Sequence, residues 1–477
     1  MFCSLWCQGG KQSFKPSRTR RLRPPVLEAL EDRLVPSFLE AVNYRVGGGP
    51  VGVVLGTFRT ASGIVDIATA NSVSSNVSVL LGKGDGTFQD AVNYGVGASP
   101  QGIALADLDG DGNLDIVTPN FGGTVSVLLG NGDGTFRAAR NFPAGSSPSS
   151  VAVCDVNRDL IPDLVVANFN TGTVSVLLGV GDGTFQAPVT YPVGAQPDFV
   201  ACADLTGSGF PDLVVSNYFG GGISVLLNNG DGTFAPRVFY ATAGILPTGI
   251  AIADFDGDLV PDIAVGNQDS TVNNLSILRG NGDGTFEAAR NYRVGPNTYL
   301  SGIAAGDYNG DRSIDLAVAD QNNSVVHVLL GNGDGTFQST MNFNTSGNTW
   351  DVATASLTGT GLLDLVTANK GTNDVSVLLI DGAWGAAGPG AAVMHQLAAP
   401  AADAPAPDAR AVQTRTVSAS AADGSSAGTD VTLQRATTSH ERGWEEVALR
   451  ALLRTSTRGY GLEDVDWAVG GLSGATV

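Results

Sequence analysis

The chain has 477 residues and a formal net charge of −20. Its four cysteines are too few and too scattered for a disulfide-dense scaffold. Residues 41–382 alone carry −20, flanked by +3 before and −3 after, and an acidic body without clustered Lys and Arg excludes a grip on nucleic-acid phosphates. It suits a protein that holds cations. No apolar run reaches the roughly 18 residues of a membrane-crossing helix, so no transmembrane segment is predicted.

Residues 1–40 come first. A basic stretch (Arg18, Arg20, Arg21, Arg23) runs into RPPVLEALEDRLVPS, which lacks the apolar core of a signal peptide. A short amphipathic helix over Leu27–Leu34 is one reading. The segment also resembles the L-E-x-L-E-x-R-x-x-P stretch near the start of many large exported bacterial repeat proteins. That resemblance implies export and an extracellular or cell-surface location, with residues 1–40 an export-like, disordered segment.

From residue 41 the sequence repeats. D-G-T-F begins at Asp85, Asp133, Asp182, Asp231, Asp283 and Asp334, with a decayed seventh copy at Asp381-Gly382-Ala383-Trp384. Apolar residues leading into a polar loop recur seven times: VVLGTF, IALADLD, VAVCDV, VACADL, IAIADFD, IAAGDYN and VATASL. Each unit reads as four short strands, as in GIALADL, LDIVTPN, TVSVLLG and FRAARNF. One such unit cannot bury both faces alone, and a ring removes the open ends of a stack. The expectation is an all-β fold: a seven-bladed β-propeller of four-stranded blades over 41–384, with disordered N- and C-terminal extensions. Ala41–Gly47 matches the fourth-strand stretch Ala91–Gly97, so residues 41–46 are expected to complete the last blade. Cys154 and Cys202 lie in apolar runs and read as free buried thiols, a bridge between them being the alternative.

The remainder differs. Residues 385–439 have a linker's composition, rich in Ala, Gly, Pro, Ser and Thr. Within 440–477, HERGWEEVALRALLR predicts a short C-terminal helix that packs on its own chain.

The chemistry lies in the loop after each unit's first strand. Unit two reads Asp107-Leu108-Asp109-Gly110-Asp111-Gly112-Asn113-Leu114-Asp115. Carboxylates at positions 1, 3, 5 and 9 can converge on a hard cation, with Asn113 offering its carbonyl. A glycine at position 6 permits the turn. The register recurs in unit three (Asp155, Asn157, Asp159, Asp163), unit five (Asp254, Asp256, Asp258, Asp262) and unit six (Asp307, Asn309, Asp311, Asp315). Units three and five have Leu160 and Leu259 at position 6. Unit four keeps Asp204 and Asp212 around Thr206 and Ser208; units one and seven keep only Asp66 and Asp364. Asp, Asn and Gly also form plain turns, but four loops in one register exceed what turn preference supplies. Three to four structural Ca2+ sites are expected. The G-D-G-T-F element is read as structural, with Phe88, Phe136, Phe185, Phe234, Phe286 and Phe337 as anchors.

D-x-D-x-D-G-x-x-D followed by G-D-G-T-F, with GASP (Gly97–Pro100) and GAQP (Gly194–Pro197) between units, resembles the FG-GAP/VCBS repeat family, which includes the propeller of integrin α subunits. The resemblance implies seven blades with calcium in the first loops of some of them, at Asp107, Asp109, Asp111 and Asp115, at Asp254, Asp256, Asp258 and Asp262, and in units three and six.

No nucleophile, base and orienter set is visible. His327 lies in a strand, SVVHVLL, and Gly424–Gly428 matches G-x-S-x-G only within the low-complexity tail. The reading is an exported, monomeric, calcium-stabilised binding or scaffold protein without enzyme activity, taking an unidentified protein or glycan ligand. The alternative is a lectin-like propeller, disfavoured because no Trp or Tyr recurs at an inner register.

Overall fold

The second strand of each blade is buried along its full length, which is why these stretches (Asp66–Asn71, Asp115–Asn120, Asp163–Asn168) are unbroken apolar and β-branched runs between polar ends. The fourth strands are mostly exposed, with their Tyr or Phe half-buried, as in Val42–Arg45 and Val92–Gly95. The structure, a computed structural model, describes residues 37–242, 244–268 and 274–381 and the strands Gln413–Ala419, Thr429–Arg435 and Ala451–Leu452.

Residues 37–381 form seven four-stranded antiparallel sheets arranged as a seven-bladed propeller. Blade one comprises Pro50–Gly56, Asp66–Asn71, Asn76–Leu80 and Val92–Gly95, and blade two Ala104–Ala106, Asp115–Asn120, Thr124–Leu128 and Arg140–Pro143. Blades three to six begin at Pro148–Cys154, Pro197–Ala203, Pro247–Ala253 and Leu300–Gly306. The first strands touch in cyclic order, the last meeting the first, so the ring is closed. Among the described residues, buried apolar side chains gather in seven layers, each between two neighbouring blades, such as Val53, Leu55 and Ile67 against Val366, Val375 and Val377.

Blade seven is built from both ends of the propeller. Thr349–Ala355, Asp364–Asn369 and Asp374–Leu378 supply three strands, and Val42–Arg45 pairs with the third in the register Val42↔Val377 to Arg45↔Asp374. The closure predicted for residues 41–46 is therefore present, and it extends further. Phe38 bridges to Ile380 as Phe88 does to Gly82. The Asp381 amide donates to the Ser37 carbonyl as Lys83 does to Thr87. The seventh aromatic anchor is thus Phe38, placed in the sequence reading within the N-terminal segment; Gly382–Trp384, read as the decayed copy, lie outside the described residues.

Cys154 and Cys202 are not free thiols. They form a disulfide across 6.5 Å of Cα–Cα distance. Cys154 pairs with Asp163 at the end of its ladder, while Cys202 pairs with Leu213, one register earlier. Side chains one register apart point to opposite faces of a strand, so in adjacent blades these two look at each other across the interface. The 48-residue separation is one repeat, the signal that the sequence reading underweighted.

The chain divides into two units, Met1–Ala402 and Asp403–Val477. In the second, Gln413–Ala419 and Thr429–Arg435 form a hairpin joined by Ala451–Leu452. The first two strands fall in the expected linker. Their alternation of Thr and Val with polar residues carries strand propensity that overall composition hides. Ala451–Leu452 is strand within the expected helix; the rest of that helix lies outside the described residues.

Candidate metal centres and the opposite face

Antiparallel order puts two kinds of loop at each end of a blade. The acidic first loops share one face with the D-G-T-F hairpins. The second-to-third hairpins and the connectors between blades share the other.

Position 9 is a staple before it is a ligand. Asp115 accepts from the Leu108 and Gly130 amides at 2.8 and 2.7 Å. The same pair of bonds recurs at Asp66, Asp163, Asp212, Asp262, Asp315 and Asp364, one aspartate per blade. This explains why units one and seven keep that carboxylate after losing the others. Position 1 caps the loop: Asp107 accepts from the Asp111 and Gly112 amides, and Asp155, Asp254 and Asp307 do the same.

Asp107, Asp109 and Asp115 bring one oxygen each within 4.8 Å of one another, as do Asp254, Asp256 and Asp262. Position 5 stands outside both groups: Asp111 accepts from the Asn113 amide at 2.9 Å, and Asp258 from Val260 at 2.8 Å. In blades three and six an asparagine replaces the position-3 carboxylate and donates to position 5, Asn157 to Asp159 at 2.9 Å and Asn309 to Asp311 at 2.8 Å. There the carboxylates available are Asp155 with Asp163 and Asp307 with Asp315.

The first two groups fit a cation. Asp109 Oδ1 is buried without a hydrogen-bond partner. Burial pushes the Asp115 carboxyl up to about 7, Asp163 to about 7 and Asp315 to about 8, and raises Asp109 and Asp262 as well. A positive charge beside them would restore the carboxylates. Leu160 and Leu259 do not spoil the turn. They take left-handed backbone (φ 68° and 69°), as does Arg312 at the same position (φ 72°).

The first loop of one blade is tied to the D-G-T-F hairpin of the next. Gly134, Gly183 and Gly335 donate to the carbonyls of Phe58, Leu108 and Phe255, each at 3.0 Å. The motif phenylalanine packs edge-on against the fourth-strand aromatic of the preceding blade: Phe88 on Tyr44 at 5.5 Å, Phe136 on Tyr94 at 5.6 Å, Phe234 on Tyr191 at 5.5 Å. Phe38 meets Phe343 at 4.9 Å in the same way. The structural role read for this motif holds.

On the opposite face, the residue after each second strand occupies one repeated place. In blades two, three and four it is Phe121, Phe169 and Tyr218, with ring centroids 6.3 and 6.1 Å apart, and Phe219 adds a fourth ring at 5.1 Å. Phe121 and Phe219 are 42% and 65% exposed. Their blades' connectors hold Ser99, Ser147 and Gln196 at positive φ, and these carbonyls accept from the Phe121, Phe169 and Tyr218 amides. The equivalent residues elsewhere are Ser72, Gln268, Gln321 and Lys370. The sequence reading missed this row. Its signal is the aromatic directly after the Asn that ends three consecutive second strands.

His327 is structural. In most blades a second-strand Asn, a third-strand Ser and a fourth-strand Asn form a buried relay, as in Asn120–Ser126–Asn141. Blade six substitutes Asp320 and His327. Nε2 meets Asp320 at 3.0 Å and Nδ1 meets Asn342 at 2.7 Å, so both ring nitrogens are engaged within the blade, and the ring is buried. Gly424–Gly428 lie outside the described residues.

The FG-GAP-like repeat pattern matches residues 60–118, 107–166, 155–215, 204–265, 254–318 and 307–367, well over half of the chain. The chain belongs to the FG-GAP repeat family. No curated protein matches it. Among solved structures, this FG-GAP propeller is similar to BBS1N, seen in complex with ARL6DN, at 13% identity and TM-score 0.51, over 73% of this chain and 98% of that one. It is also similar to a lectin of Agrocybe aegerita whose structure concerns recognition of non-reducing terminal N-acetylglucosamine (22% identity, TM-score 0.45, 64% and 81% covered). A protein from Lactobacillus plantarum gives 16% identity, TM-score 0.46 and 71% and 96% coverage. Identities this low speak to fold. Among the described residues no helix is long and apolar enough to cross a membrane.

Proposed function

We propose that this FG-GAP propeller is a non-enzymatic binding scaffold of the cell surface or exterior that docks a protein or envelope component on its aromatic face. The row Phe121–Phe169–Tyr218–Phe219 carries the reading. The rings touch across three blades, with Phe121 and Phe219 exposed and Phe169 and Tyr218 half-buried between them, and clustered surface aromatics are what binding surfaces concentrate. BBS1N, a propeller of similar fold, is itself seen with a protein partner.

Calcium, in this reading, is structural. Asp107, Asp109 and Asp115 would hold it in blade two and Asp254, Asp256 and Asp262 in blade five, with Asp155, Asp163, Asp307 and Asp315 supplying fewer carboxylates in blades three and six. The ion supplies positive charge and rigidity and no chemistry. Export is supported by the Cys154–Cys202 bridge, since disulfides persist in oxidising compartments.

One observation favours the lectin-like alternative: an aromatic does recur at one register in consecutive blades, and sugar rings stack on such faces. One experiment separates the readings. The purified protein is applied to bacterial envelope fractions and to a glycan array. Phe121→Ala with Phe219→Ala should abolish envelope binding, while Leu259→Gly on the other face leaves it intact. Glycan binding lost in the same variant selects the lectin reading. Envelope binding that survives the aromatic changes removes the proposed face.

A further inference from the structure

Three arginines form ion pairs with aspartates of the first loops, in two different relations to them. Blade one has no carboxylate at positions 1, 3 or 5. Phe58 donates to Asp66 as Leu108 donates to Asp115, so Arg59, the next residue, occupies the place of Asp109. Its guanidinium turns onto the staple aspartate: Nη2 lies 2.5 Å from Asp66 Oδ1, Nε 3.4 Å from Oδ2, and Nη2 also donates to the Gly82 carbonyl at 2.7 Å. Asp66 is fully buried, and the Arg59 side chain only 21% exposed. In blade two the corresponding space is where Asp109 and Asp115 converge.

In blade five a different arginine reaches a complete acidic loop. Arg279 Nη2 lies against Asp256 Oδ2, an oxygen with no hydrogen bond of its own, and Asp256 is 3% exposed while Arg279 is 45% exposed. In blade two Arg137 stands further off, 3.6 Å from Asp109 and 3.9 Å from Asp111.

We propose that this chain sets its cation sites with its own arginines: Arg59 is a built-in replacement for the ion in blade one, and Arg279 is a displaceable counter-charge that competes with the ion for Asp256 in blade five. The inference rests on the calcium reading above for blade five, but not for blade one. A guanidinium is permanently charged and can satisfy two carboxylate oxygens and a carbonyl at once, so blade one needs no metal and keeps no other ligand. The Arg279 side chain is half in solvent and can swing away. Its contact with Asp256 is worth what a partly exposed pair is worth, up to about 1 kcal/mol or roughly fivefold in affinity.

The test is calorimetric titration of the full chain with calcium, with melting curves in calcium and in chelator. Arg279→Gln should tighten one site about fivefold without changing the number of sites. Arg59→Gln should add no site and should lower the melting temperature equally in calcium and in chelator, with Arg59→Lys recovering part of the loss. Equal affinities in wild type and Arg279→Gln would overturn the competition while leaving the calcium reading intact. No binding heat in either would sink the calcium reading, and the competition with it. An Arg59→Gln protein that melts like wild type would overturn the replacement in blade one.

Discussion

Blade two and blade seven have the same four strands and the same first loop, built by different means. In blade two the loop is capped by Asp107, whose carboxylate accepts the Gly112 amide at 2.8 Å. In blade seven the Ser356 hydroxyl accepts the equivalent Gly361 amide at 3.0 Å. Thr358 and Thr360 face each other at 3.1 Å, in the places of Asp109 and Asp111. Hydroxyls therefore fill positions 1, 3 and 5 of this loop without charge, leaving Asp364 as its one carboxylate. The extra carboxylates of blade two, Asp107, Asp109 and Asp111, are not needed for the turn, and crowding them beside Asp115 costs repulsion that a bound cation offsets. The blades differ in connectivity as well, since blade two is one run of chain and blade seven joins residues 37–45 to residues 349–381.

The largest effect should come from the junction. Removing residues 1–36 leaves every described strand of the ring in place, whereas removing 1–48 strips blade seven of its fourth strand and leaves an unpaired edge. The shorter truncation should melt as the full chain does, and the longer should aggregate. Phe38→Ala should cost about 3–5 kcal/mol, as should Phe136→Ala in blade two. Only the Phe38 change should also open residues 37–45 to protease, because only there is the fourth strand not joined to the third by a hairpin. Equal protease resistance in both variants would count against the junction.

The staple aspartates should come next. Asp364→Ala in blade seven and Asp115→Ala in blade two each orphan two buried amides, at ~1–3 kcal/mol per amide. In chelator the two losses should match. In calcium the blade-two loss should grow, because the ion goes with the staple. Denaturant melts of both variants in each condition measure this, and a calcium-dependent loss in blade seven would contradict the account of its loop as one that binds no ion.

Calcium itself should give a smaller, additive effect. An ion bound only by the folded state contributes about 2.7 kcal/mol per site at a hundredfold excess over Kd, and less if the sites bind at the ~10⁻⁴–10⁻³ M of many extracellular modules. Chelator should lower the melting temperature. Asp109→Ala should remove part of that response, and Ser356→Ala or Thr206→Ala none of it. The response should spread beyond one blade, since Gly183 of blade three bonds to the loop carbonyl of Leu108. A melting curve unmoved by chelator and by Asp109→Ala would reduce the acidic loops to turns.

The blades and their closure were legible because a fifty-residue period with turn residues between apolar runs leaves few other folds. What escaped has a common cause: it depends on which residues face one another across blades. Phe38 lacks the Asp-Gly that flags its six counterparts, because those residues sit at the far end of the chain. The Cys154–Cys202 pair needs the alternation of side chains on two strands to be combined with the repeat length. Position 9 looked like a ligand of the loops that carry acids, and its presence in all seven blades marks it as a staple first. The aromatic row is invisible within any one repeat. Arg59 carries no signal within its own repeat, because its pairing with Asp66 shows only when the loop is folded.

The smallest effect concerns position 6, where blades two and seven agree and blade five does not. Gly112 and Gly361 take φ 82° and 80°, and Leu259 takes 69°. A side chain in that region costs roughly 1–2 kcal/mol, and Leu259 recovers none of it by packing, being 90% exposed. It is held there because its amide donates to Asp254 Oδ2 at 2.9 Å. Leu259→Gly keeps that bond and removes the strain, while the unfolded chain gains freedom worth about 0.5–1 kcal/mol. The balance is a stabilisation of up to about 1 kcal/mol, with calcium affinity in blade five unchanged. The mirror change, Gly112→Leu, should cost blade two a similar amount. Matched melts of both variants in chelator isolate the backbone from the ion. A Leu259→Gly protein less stable than wild type would mean that the leucine makes a contact worth more than its strain.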